Sequence, residues 1–446
     1  MEATTQDCAP TEETIAAKAV AMRVNLAPLW ELQSPGPDNL YQHPAFAALK
    51  AYCEATYPAA EPGLGSTFAL GDALRTLGLP CSIKPPNSNR AGSLDEAAER
   101  LVHALEATKI TRRYLCPLDW ADTLPDIEFG RAFVRSPTGA DLAVLFDAPR
   151  LARLFPAQTL DVGRLAQFHW FVVEEEVPLT EGFAERAFPM KHLMQKDFGE
   201  IDVHAGDHSA ALTDALFGLL LAPWEAWHSD GSGDWRAFRI PWIHVETGDL
   251  FIRPKQVPSA DQLSWTPFYV EEDGEQLEIE VPLHVSLYER AEIELSQLDH
   301  RWWARLEIAS SSVLFTTPIK HFLVRAFFSE GMDEIMAHMT TIEAALGMHE
   351  DFTGPRPSHV KKLKVHERMA QRIEALLGDP QLADDYRALF QLRSKFVHGR
   401  AIASKVPSID RVKARRLARK VVVGVIDAAN GSLGHQSRED YLWSLA

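Results

Sequence analysis

Ala383–Gly399 reads ADDYRALFQLRSKFVHG, and Tyr386, Leu389, Phe390, Arg393 and Val397 fall on one stripe of a helix, because residues three, four and seven apart share a helical face. Arg393 thus occupies a position where leucine would be expected. A guanidinium in an apolar seam costs several kcal/mol unless an anionic group meets it, so the position calls for a partner. Ser394 and His398 lie one helical turn apart, and Gly399 lets the chain turn away, leaving His398 at an accessible helix end.

Outward from this stretch the chain reads as helical throughout after Pro318. Ile319–Phe328, Met332–Leu346, Val360–Leu377, Ala383–His398 and Ile409–Ala429 carry apolar residues at spacings of three and four, with breaks at Gly354-Pro355, Pro357, Gly378-Asp379-Pro380 and Gly399. Such helices with short joints predict a compact bundle over residues 318–446. Residues 111–317 differ. Arg131–Val134, Phe168–Val173, Ile240–Val245, Leu250–Pro254, Leu277–Val285 and Arg305–Ile308 read as strands of a β-rich or mixed domain. Residues 1–110 read as mostly helical, with helices expected over Glu12–Val24, Tyr41–Tyr57 and Leu94–Thr108 and loops at Pro58–Gly65 and Lys84–Ser93. The expected fold class is therefore α+β: a mixed N-terminal region followed by an all-α bundle.

Composition bounds the functional classes. The chain has 446 residues, 46% hydrophobic and 24% charged, which are ordinary globular values and predict two or three domains. No apolar run approaches the roughly 20 residues of a membrane span, and residues 1–25 lack a basic start followed by an apolar run. Four scattered cysteines, Cys8, Cys53, Cys81 and Cys116, form no disulfide or zinc framework, so a reducing cytoplasm is expected. The net charge is −17, yet Arg356–Lys420 contains 17 Lys and Arg against 6 Asp and Glu. That asymmetry is the footprint of a polyanion-binding module on an acidic body, or of a basic surface that pairs with the rest of the protein.

The stretch Leu392–Gly399, LRSKFVHG, resembles the R-x4-H signature of HEPN domains, and in particular of the Apea-like subgroup. The upstream run Ile342–Gly347 (IEAALG), the long helix before the motif and the final helix after it agree with that family, and the resemblance covers about Pro318–Ala429. It implies a helical bundle that dimerises through the C-terminal domain, bringing two motif copies into a composite cleft, and metal-independent endoribonuclease activity with no cofactor. Arg393 and His398 would then be catalytic, with Ser394 orienting and Glu343 on the earlier helix positioning the histidine or arginine. Apea-like proteins are associated with abortive defence against phage. This adds RNA, a phage-derived trigger and an antitoxin to the expected partners.

The chemistry suits the residue types. Cleaving RNA through its own 2′-hydroxyl needs a base for that proton, an acid for the leaving 5′-oxygen and positive charge at the phosphorane. Histidine titrates near neutrality, and arginine grips phosphate with two donors. Lys395, Arg400, Lys361, Lys362, Lys364, Arg415 and Arg416, with Arg368 and Arg372 nearby, would bind RNA phosphates or form ordinary solvated faces. Equally, Arg393 could pair with a buried carboxylate such as Glu343, while His398, Lys395 and Arg400 complement the helix dipole. A third possibility is a non-catalytic module of this family that binds nucleotides or partners within a larger defence complex.

Other signals were weaker. There is no phosphate-loop, dinucleotide, zincin or nucleophile-elbow motif. His204 and His208 lack a third metal ligand, Trp224, Trp227, Trp235 and Trp242 read as core or interface, and Glu174–Glu176 as a solvated strand end.

Overall fold

The computed structural model describes residues 12–33, 37–57, 64–83, 89–187, 206, 208–227, 236–272, 275–351, 353, 363–399, 405–431 and 437–446. Its class is α+β. The N-terminal helices α1 (Glu12–Trp30), α2 (Pro44–Thr56), α3 (Leu64–Leu77) and α4 (Leu94–Glu106) enclose their own core, with Met22, Leu49, Leu70, Leu74 and Leu101 fully buried. Ser93 caps α4 by accepting the Glu96 amide at 3.1 Å, which satisfies one of the donors a helix start leaves open.

A five-stranded antiparallel sheet follows, from β1 (Lys109–Leu118), β2 (Ile127–Phe129), β3 (Ala132–Arg135), β4 (His169–Pro178) and β5 (His244–Thr247), in the order β2-β3-β4-β1-β5. The long β1–β4 pair runs from Lys109 opposite Pro178 to Leu118 opposite His169. Alternation sorts its side chains. Tyr114, Cys116, Phe171 and Val173 face the main core, whereas Leu115, Trp170 and Val172 face a smaller one with Phe146, Phe168 and Leu263. Gly130, at the β2–β3 turn, has φ +58°, and a Cβ there would sit 2.5 Å from the Trp303 ring, so both the backbone and the space require glycine. Between β4 and β5 the chain forms the apolar helix α5 (Ala210–Leu220). After β5 comes an exposed two-stranded hairpin, β6 (Trp265–Glu272) and β7 (Glu275–Pro282).

Two expected strands are something else. Arg305–Ile308 lies inside helix α6 (His300–Ser310), because Asp299 accepts the Arg301 and Trp302 amides at 2.9 Å and so starts a helix whose inner face is Leu306 and Ala309. Leu250–Pro254 makes no ladder. The buried Arg150 instead gathers the carbonyls of Thr247, Asp249 and Ile252 at 2.5–2.6 Å. The strand expected over Ile240–Val245 begins only at His244. Glu174–Glu176 is not merely solvated, since Arg113, the Tyr114 hydroxyl and Lys109 bond its three carboxylates across the β1–β4 pair at 2.7–2.8 Å.

The remaining helices are α7 (Ile319–Phe328), α8 (Gly331–Leu346), α9 (Val365–Leu377), α10 (Pro380–Val397), α11 (Ser408–Asn430) and α12 (Arg438–Ser444). They do not form a separate core at the expected boundary of residues 317 and 318. One continuous apolar cluster runs from Phe129 and Phe171 of the sheet through Leu216 and Leu306 to Ile342, Tyr386 and Val422. Polar ties reinforce it: Lys320 to Asp214 at 2.7 Å, and Arg236 to the Phe327 carbonyl at 3.1 Å. Trp224 and Trp227 are buried in this core, and Trp242 packs on Trp170; Trp235 lies outside the described residues. Among the described residues no helix is long and apolar enough to cross a membrane.

Candidate functional site

Helix α10 starts at Asp379, whose carboxylate accepts the Gln381 amide at 3.0 Å, with Pro380 in the first turn. Leu382, Ala383, Tyr386 and Leu389 then bury one face. At Arg393 the stripe meets α8, and a guanidinium Nη donates to Glu343 Oε1 at 2.9 Å. Both side chains are about one-third exposed, 29% and 32%, so the pair stands at the bundle edge. Burial pushes the Glu343 carboxyl above its ordinary range, and Arg393 opposes that shift. The Arg393 Nε–H has no partner among the described residues.

The far end of α10 is open. Phe396 and Val397 are 44% and 57% exposed, and Lys395 and His398 are exposed as well. His398 closes the helix, its amide donating to the Ser394 carbonyl at 3.1 Å, and Gly399 turns the chain with φ +63°. Five positions of helix separate Arg393 from His398, roughly 140° around the axis. The two residues thus start from different faces of the helix end. Ser394 is half-buried beside them.

The structure divides the expected RNA-binding residues. Lys364 and Lys395 are exposed. Lys361, Lys362 and Arg400 lie outside the described residues, as does His204. Arg415 is not a surface phosphate ligand. It is wholly buried, donates to the carbonyls of Leu220 and Ala222 and lies 3.7 Å from Glu225. Burial lowers its pKa to about 10, against the pull of Glu225. Arg416 is part-exposed and bonds Asp385 at 3.1 Å. Arg411 and Arg419 likewise answer Glu334 and Glu225. Much of the basic excess is thus internal pairing.

The most heavily committed group was not anticipated. Asp351, with no exposed surface, accepts from Arg368 Nε at 3.0 Å and from two Arg372 nitrogens at 2.6 and 3.0 Å, while its own carbonyl takes another Arg368 nitrogen. Burial alone would raise this carboxyl; the bonds from Arg372 and Arg368 and the Met348 amide outweigh it and hold it below the usual range. The signal was present in sequence: Arg368 and Arg372 are four apart beside Met369 and Ile373, the same anomaly that marked Arg393.

Behind the Arg393–Glu343 pair opens a cavity of about 650 Å³ between α8, α9, α10 and the start of α12, lined also by Tyr386, Phe390, His366 and His349. His366 lies flat on Phe390, with centroids 4.8 Å apart and planes at 14°. Among the described residues no three His, Cys, Asp or Glu side chains are grouped to hold a metal ion. Comparisons with family models, with curated proteins and with solved structures find no match.

Proposed function

We propose that the chain is an endoribonuclease of the HEPN type, cleaving RNA without a metal at a site shared between two copies. The observation that carries this reading is the arrangement at α10. A carboxylate positions Arg393 while leaving its Nε–H unspent, and His398 is presented on the exposed last turn. The exposed Phe396 and Val397 give that end an apolar face for a second copy. A two-fold contact there would bring a second Arg393 and His398 to the same end, giving the composite site that this reading requires.

The reaction needs no co-reactant. The 2′-oxygen attacks phosphorus as His398, in neutral form, takes its proton; the P–O5′ bond breaks, and the departing 5′-oxygen takes a proton from a protonated imidazole. The products are a 2′,3′-cyclic phosphate and a 5′-hydroxyl. Arg393 bonds the equatorial phosphorane oxygens, Glu343 holds that guanidinium in place, and Ser394 orients the site. Lys364 and Lys395 supply phosphate contacts. The setting we propose is cytoplasmic anti-phage or toxin–antitoxin defence, with residues 1–317 restraining the site until a phage-derived trigger or the loss of an antitoxin releases it.

The test is RNA cleavage by purified protein in excess chelator, comparing wild type with His398→Ala and Arg393→Ala. Loss of a chelator-resistant activity in both variants supports the reading. Cleavage that survives either substitution refutes the assignment, and a wild type that cleaves nothing with phage lysate supplied favours a second reading. That reading, a non-catalytic bundle that binds partners, draws on the Arg393–Glu343 pair itself, since a buried-edge ion pair is all a scaffold would require of Arg393.

A further inference from the structure

The hairpin of β6 and β7 turns an apolar face to solvent. Its register sets Thr266 opposite Val281, Phe268 opposite Ile279 and Val270 opposite Leu277, and residues opposite one another in a strand pair share one face. On that face Phe268, Leu277 and Ile279 are 53%, 49% and 36% exposed. The other face pairs Tyr269 with Glu278 and Glu271 with Gln276. At its root this second face leans on the body: the Trp265 indole donates to the Ala260 carbonyl at 2.9 Å, and Arg164, stacked over the Trp265 ring, bonds Glu280 at 2.9 Å. Asp119 fixes the root further by accepting the Ser264 amide and hydroxyl at 3.0 and 2.8 Å. The ribbon is thus held firmly at one end, while its length has the weakness of any two-stranded ribbon in water, which a third strand on a shared apolar face relieves.

Charge decides what can join it. Trp265–Pro282 contains six Asp and Glu and no Lys or Arg. Arg164 answers Glu280, but Glu271, Glu275 and Glu278 are exposed and have no ion-pair partner among the described residues. Two copies meeting through their hairpins would therefore oppose like charges. Size argues the same way. Strands of eight residues are about 27 Å long, and two of them about 10 Å wide, so one face offers roughly 270 Å², against about 800 Å² per partner in a standard protein interface. Of the two edges β7 is the better template, because Pro267 leaves β6 without one N–H. We infer that the hairpin receives an extended segment of another protein, with apolar residues alternating with Lys or Arg, as a third strand beside β7. Its apolar side chains extend the face of Phe268 and Ile279, and its basic ones lie beside Glu278 and Glu280. This docking is independent of RNA cleavage and of the contact proposed at the end of α10.

The test titrates the full chain against the fluorescein-labelled peptide KVKVKVKVK and reads anisotropy. Binding is expected below about 1 mM, at least about tenfold tighter than that of the blocked-order peptide KKKKKVVVV, which has the same charge without the alternation. A copy of the first peptide with every backbone nitrogen methylated cannot form the ladder and should lose at least about the same factor. Phe268→Ser with Ile279→Ser should weaken binding about tenfold. Glu271→Gln with Glu278→Gln leaves the apolar face intact; it should weaken binding about threefold and flatten its salt dependence. The inference is overturned if the alternating peptide does not bind at about 1 mM, or binds no better than the blocked-order or methylated peptide, since charge alone would then explain it. It is equally overturned if either double variant, with unchanged circular dichroism, binds as the wild type does. Failure of the peptide to bind, together with an oligomer that Phe268→Ser and Ile279→Ser dissociate, would make the hairpin an interface between copies instead.

Discussion

Replacing Asp351 with asparagine keeps the shape of the side chain and removes the one carboxylate that faces two buried guanidiniums. Arg368 and Arg372 have no exposed surface, so neither can turn to solvent for hydration. Breaking a buried pair in this way costs about 3–5 kcal/mol; the amide oxygen retains one acceptor, which places the expected loss near 3 kcal/mol. In a chain of this size that is a fall of roughly 3 °C in the melting temperature, measured by circular dichroism and checked by the urea midpoint. The pH dependence is a second readout. The Asp351 carboxyl is held below its ordinary range, so its contribution is fully present above the unfolded value of about 3.9 and is lost as pH falls through the folded value. The gap between wild type and variant should therefore be constant at neutral pH and close in acid. Asp351→Leu combined with Arg368→Met and Arg372→Met should recover most of the loss, since an apolar set of similar volume replaces the ions. A loss below about 1 kcal/mol at neutral pH, or a gap that does not close in acid, would refute this account.

Other perturbations have equally definite outcomes. Glu225→Gln leaves Arg415 wholly buried and Arg419 nearly so and should cost about 3 kcal/mol in urea unfolding. His244 is buried with its pKa lowered to about 4, by desolvation and then Lys255. The unfolded chain thus takes up the proton first, so stability present above about pH 6.5 declines as pH falls toward 4. His244→Phe should flatten that slope by up to about 1.4 kcal/mol per pH unit. On the proposed nuclease reading, Glu343→Gln should preserve the fold and lower RNA cleavage by about tenfold or more, through loss of the group that fixes Arg393; unchanged turnover would remove Glu343 from the site.

Local periodicity made the helices after Pro318 legible, and Ile319–Phe328 falls where its spacing of apolar residues puts it. Arg393 announced a partner because an arginine in a leucine position must be answered, and Glu343 is that answer. The charge of the flanking helices was far less informative. A lysine or arginine reads the same in sequence whether it meets water or a carboxylate some 190 positions earlier, as Arg415 and Arg419 do with Glu225. Arg305–Ile308 read as a strand because four residues alternate by chance within a helix whose start is decided by Asp299. The cavity was invisible for a similar reason, being made by residues of four helices that only packing brings together.

The core that passes from the sheet into the last helices also limits how this protein can be recombined. A graft of residues 318–446 onto another protein would carry a bare apolar flank where Leu216, Phe217 and Leu306 now pack, and Arg415 would lose the Leu220 and Ala222 carbonyls that hold it. The smallest portable unit begins near Lys109, at the first strand. The helices of Glu12–Glu106, which have a core largely their own, are the part that exchange between chains can most readily replace.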